Sequence, residues 1–200
     1  MSDRLASEVL RDAADALEFV EQALREITDL PGRERLAGIR NLPIWGRVLT
    51  WTLQNLRPLI GRPEFDGWWS PWRVQLETDP DFAYLYDLRN QIEKEGTVGS
   101  LGHVTDLWHQ SQVQGPSPPN TVGIFIDRWG AGWRVQKPDG TIELFYAQIP
   151  EPLGSQLFFT EPTTSQHRSP PKASIDVIAR RYVDLLRQVL ESAREEFGSE

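Results

Sequence analysis

The sequence predicts an α+β protein. It is mainly an α-helical bundle of four to five helices, with a small antiparallel β insertion before the C-terminal helix. Three observations carry that reading. Apolar residues recur at three- and four-residue steps from the N-terminus to about Gly96. That period is lost after Thr97 and is replaced by β-rich runs around Pro138-Asp139-Gly140. It returns in one long stripe from Ser174 to Phe197. The corresponding segments are 1-96 (helical bundle), 97-171 (loop plus β insertion) and 172-200 (a helix completing the bundle), expected to form a single compact domain.

The first helix carries Leu5, Val9, Ala13, Ala16, Leu17, Val20, Leu24 and Ile27 on one face, and Leu30-Pro31-Gly32 ends it. The second has Leu36 and Ile39, then Ile44, Val48, Leu49, Leu53, Leu56 and Ile60. Pro43 predicts a kink or a fresh start near Leu42, because proline removes a ladder N–H. The stretch 64-EFDGWWSPWRVQLETDP-80 holds three Trp and an internal Pro, and reads as a short irregular helix or ordered loop. Asp79-Pro80 opens the next helix: Asp79 suits an N-cap, Pro80 the first turn and Asp81 the positive end of the dipole. Strands are expected at 121-127, in a hairpin over 132-148 and at 155-161. The last helix displays Ile175, Ile178, Tyr182, Leu185, Leu186, Val189, Ala193 and Phe197, with Arg180–Asp184 and Arg187–Glu191 as i,i+4 pairs.

Composition bounds the function. The chain has 200 residues, 39% hydrophobic and 25% charged, with a net charge of −8. That acidity disfavours non-specific nucleic-acid binding while leaving a local basic site open. There is no cysteine, which excludes disulfides, thiol nucleophiles and Cys-based zinc sites. The N-terminus has no apolar h-region and no run is long enough to span a bilayer, so a cytoplasmic protein without membrane attachment is expected. No Walker, nucleophile-elbow or Ser-His-Asp pattern is present, and neither cofactor nor DNA is expected.

One residue stands out on the helix that begins at Asp79. Phe82, Leu85, Leu88 and Ile92 form its apolar arc, and Arg89 falls inside it, with Asn90 at the edge beside Tyr86. A guanidinium cannot lie dry and unpaired without a large cost. Arg89 therefore requires a carboxylate such as Glu93, an acid on another helix, an interface or a ligand.

The string 89-RNQIEK-94 resembles the R-N-x-x-x-H signature of the HEPN superfamily of helical bundles. Many members dimerise and cleave RNA without metal, using the arginine and histidine of a shared cleft. The resemblance places Arg89 and Asn90 in that signature and Lys94 in the histidine slot. A lysine, with its unperturbed pKa of about 10.4, is a poor general base, so a catalytically degenerate member is implied. The flanking DPDFAYLYDLRNQIEKEG is also similar to a stretch of uncharacterised bacterial proteins that continue into a Gly-Trp-containing β segment. The expectation is an interaction or regulatory protein, with a homodimer or a protein as partner. The alternatives are a metal-independent ribonuclease of a toxin or defence system, and a small-molecule binding module.

That last alternative rests on 128-RWGAGW-133, whose Trp129 and Trp133 flank two glycines. The indoles either cover a tight strand connection or line a binding surface. The cluster 68-WWSPW-72 poses the same choice. His103, Asp106 and His109 are spaced by three and would share one side of a helix, but three residues in a Gly-containing loop make a weak ligand set, and no metal is expected. His167 lies in a polar loop and reads as incidental.

Overall fold

The computed structural model describes residues 5–30, 32–99, 101–105, 117–127, 130–146, 155–164 and 166–198. The chain divides into two compact units, Met1–Gly102 with Leu157–Glu200, and His103–Gln156.

The first unit is helical. Helix α1 spans Ala6–Asp29 and α2 spans Gly32–Gln54. A single turn, α3 (Arg57–Ile60), leads to α4 (Arg62–Thr78), then α5 (Pro80–Glu95) and, after the insertion, α6 (Ile175–Phe197). The apolar stripes of α1 and α6 bury Val9, Ala13, Val20, Ile27, Ile178, Leu186, Val189 and Ala193 in one continuous core with Leu49 and Leu53 of α2 and Leu88 of α5. The α1 and α2 backbones approach closely at Gly38, where a Cβ would meet the Ala23 carbonyl oxygen at 2.6 Å.

Two helices differ from the expectation. Helix α2 continues through Pro43, so of the expected kink or fresh start near Leu42 the fresh start does not occur. One missing N–H is a local loss, and Leu42, Leu49 and Leu53, all buried, hold both sides of it in one core face. Helix α4 is a regular element of 17 residues, not a short irregular one, despite Pro71. Its indoles anchor it: Trp68 Nε1 donates to Ser192 Oγ on α6 at 3.0 Å, and its ring meets Phe197 edge-on at 5.3 Å.

Helix α5 begins as its sequence suggests, with Asp79 accepting from the N–H groups of Asp81 and Phe82. Arg181 of α6 pairs with both Asp79 and Asp81 and lies over the Phe82 ring, tying the start of α5 to α6. Gly96 ends α5 in the left-handed conformation. On α6, Arg187 does not pair with Glu191. It donates to Glu21 of α1 at 2.7 Å and to Asp184 at 2.8 Å, because it is half-buried against α1 and reaches both acids there.

Strand β1 (Leu101–Thr105), which the sequence reading did not foresee, pairs with β5 (Ser155–Phe159). The other three strands, β2 (Thr121–Asp127), β3 (Gly130–Gln136) and β4 (Ile142–Tyr146), form an antiparallel sheet in that order. The predicted hairpin is β3–β4, turning at Pro138-Asp139-Gly140, where Asp139 accepts from the N–H of Thr141 at 2.9 Å. Register sets Trp133 between Ile124 and Phe145.

Candidate anion-binding cleft

The helical unit contains a cleft of about 480 Å³ walled by single faces of three helices. From α2 come Pro43, Arg47, Thr50 and Gln54; from α4, Phe65, Trp69, Arg73 and Leu76; from α5, Phe82, Tyr86 and Arg89. Each set steps by three or four residues, the spacing that aligns side chains on one side of a helix. Arg57, Glu77, Ala83, Gln166, Arg168 and Tyr182 complete the lining.

Among the described residues, five arginines line this cleft and Glu77 is its one lining acid. Four have carboxylate partners: Arg57 pairs with Asp66, Arg73 with Glu77 at 3.9 Å, Arg168 with Asp87 at 2.5 Å, and Arg89 with Glu93 at 3.3 Å. The Arg89 pair is weak. Its arginine side chain is only 12% exposed, but Glu93 is 51% exposed, and pairs reaching into solvent contribute ~0–1 kcal/mol. Arg89 also lies over the Tyr86 ring at 5.1 Å, and its Nε is buried without an acceptor.

Arg47 is the exception. Among the described residues no carboxylate lies within ion-pair distance of it. Its guanidinium rests over Trp51 at 4.7 Å and faces Tyr86 at 5.9 Å, and its Nε too is buried without an acceptor. Burial and the nearby Arg89 charge hold its pKa below the ordinary arginine value. Tyr182 approaches from α6. Gly46 makes room for it, since a Cβ there would overlap the phenol ring and hydroxyl. Burial pushes the Tyr182 hydroxyl up to about 12, against the opposing pull of Arg47 and Arg89, so it stays a neutral donor near neutrality.

The opposite side of α5 is also covered, and by polar partners. Tyr84 Oη donates to the Glu161 carbonyl at 2.9 Å, Gln91 Oε1 accepts from Thr164 N–H at 3.3 Å, and fully buried Asp87 accepts from Arg168 Nε. These bonds fix the segment 161–168, which delivers Gln166 and Arg168 to the cleft.

The structure distributes the sequence-predicted residues unequally. Arg89 lines the cleft; Asn90 is half-buried and Lys94 exposed, and neither is part of the lining. Trp133 is buried in the sheet unit, while Trp129, Asp106 and His109 lie outside the described residues. His103 falls in β1, so it does not start a helical triplet. His167 has a positive φ of 52° in the 161–168 segment. Sequence reasoning missed Arg47, which left no local signal: it lies off the apolar stripe of Leu42, Leu49, Leu53 and Leu56, on the polar side of α2 that also carries Thr50 and Gln54. It also missed Trp69, which left no sign of which of three clustered indoles faces a cavity. Comparison with family models, with curated proteins and with solved structures found no match to this chain.

Proposed function

We propose that the protein is a binding or regulatory module whose helical unit takes up an anion in the arginine cleft and does not turn it over. The observation that carries this reading is the pairing of Arg47 with Arg89. Two like charges share a partly desolvated site, one has no carboxylate within ion-pair distance among the described residues, and both present a buried, unsatisfied Nε. Such an arrangement is costly when empty and is relieved by a bound anion. The resemblance of 89-RNQIEK-94 to the HEPN signature agrees with it, since α5 carries the arginine into the cleft. The lining supplies cations, hydroxyls and the carboxylate of Glu77, which is paired with Arg73; the Tyr182 hydroxyl beside Arg47 and Arg89 is a poor proton acceptor near neutrality, because it holds its proton up to about 12.

The ribonuclease alternative is decided by incubating labelled RNA in EDTA with the wild-type protein and with Arg89→Ala. No cleavage above the buffer control is expected from either. Cleavage by the wild type that Arg89→Ala abolishes would overturn the module reading.

A further inference from the structure

The cleft has two chemically distinct ends. One holds Arg47 and Arg89, each with an Nε lacking an acceptor, and the Tyr182 hydroxyl, which the Gly46 gap admits beside them. The other is an aromatic wall in which Trp69 stacks against buried Phe65, with planes 22° apart, and Leu76 continues the apolar surface along the same side of α4. Trp69 is only partly buried, so part of its area is left for something else to cover. A cavity of about 480 Å³ lies within the range of small-molecule sites, which run to roughly 300–1,000 Å³.

We propose, resting on the anion-binding reading above, that the ligand is a small phosphomonoester carrying a flat aromatic body. The phosphate is held by Arg47, Arg89 and the Tyr182 hydroxyl, and the ring covers Trp69. Three donors match the three terminal oxygens of a phosphomonoester better than the two of a carboxylate. Charge agrees: among the described residues no carboxylate lies within ion-pair distance of Arg47, and the carboxylate paired with Arg89 there, Glu93, is exposed. The other arginines keep their own carboxylates and frame the site without adding net charge.

The test is isothermal titration calorimetry of the full chain with phenyl phosphate, inorganic phosphate and benzoate, with a single-stranded RNA oligomer as competitor. Phenyl phosphate is expected to bind at least tenfold more tightly than either inorganic phosphate or benzoate. Arg47→Gln should weaken phenyl phosphate at least tenfold. Trp69→Leu should erase the advantage of phenyl phosphate over inorganic phosphate while inorganic phosphate still binds. Arg62→Gln, which removes an exposed arginine outside the lining, should change nothing, and circular dichroism of each variant checks that it is folded. Equal affinity for phenyl phosphate and inorganic phosphate overturns the aromatic assignment alone; benzoate binding as tightly as phenyl phosphate overturns the phosphate assignment alone. Failure of every anion to bind the wild type overturns the anion-binding reading itself. RNA that binds in the cleft and resists displacement by phenyl phosphate overturns the small-molecule proposal.

Discussion

Tyr182 makes the stability of the helical unit depend on alkaline pH, and the size of the effect can be worked out. Its hydroxyl is pushed from 10 to about 12, chiefly by burial. The folded state therefore holds a proton that the unfolded chain releases above pH ~10. The stabilisation is fully present below pH ~10 and is lost as pH rises toward about 12. At ~1.36 kcal/mol per pH unit, the loss between pH 9 and 11.5 comes to about 2 kcal/mol. Replacing tyrosine by phenylalanine keeps the ring packed against Phe82 and removes the titrating proton. The assay is urea unfolding of wild type and Tyr182→Phe at both pH values. The wild-type midpoint should fall by ~1 M more than the variant's, taking an m-value of about 2 kcal/mol/M. Comparison of the two proteins cancels the other groups that titrate in this range. Midpoints that fall in parallel would refute the placement of the hydroxyl in a desolvated site.

Two further substitutions probe the geometry around the cleft. Gly46→Ala puts a methyl group into the Tyr182 ring and hydroxyl; a loss of about 2 kcal/mol, or roughly 4–8 °C in melting temperature, is expected. Adding Tyr182→Phe should restore only part of it, because ring carbons overlap as well. Arg168→Ala leaves Asp87 fully buried without its guanidinium and should cost about 2 kcal/mol in a urea titration. The double variant Arg168→Ala with Asp87→Asn should recover at least half, and no recovery would mean that Arg168 acts through packing rather than charge.

The elements that were legible in the sequence are those with a one-sided pattern. α1, α6 and the start of α5 each have one apolar face and a clear cap or stop, and the β3–β4 turn has its own chemistry. Where two faces of one helix are buried for different reasons, the pattern is ambiguous. α5 shows Phe82, Leu85 and Leu88 to the core, but Tyr84, Asp87 and Gln91 to the segment 161–168. Those polar residues look solvent-facing until their partners, some 73 to 81 positions away, are known. Arg89 was legible because a charge in an apolar arc is anomalous on its own helix. Its relation to Arg47 was not, since that depends on how α2 and α5 meet. The strand β1 was equally hidden, because a two-stranded pairing with β5 is a long-range event with little local signal.

The core of the helical unit is closed by a helix that emerges last. α1 and α6 bury their stripes against one another, yet α6 begins at Ile175, far beyond the end of α2 at Gln54. On a translating ribosome, at ~5–20 residues per second, the α1–α2 pair leads the end of α6 by about 7–29 s. During that interval Val9, Ala13, Val20 and Ile27 have no α6 to cover them. Nascent chains of this protein thus present an unfinished apolar seam to chaperones and to one another, and faster elongation through the insertion shortens the time that it stays open.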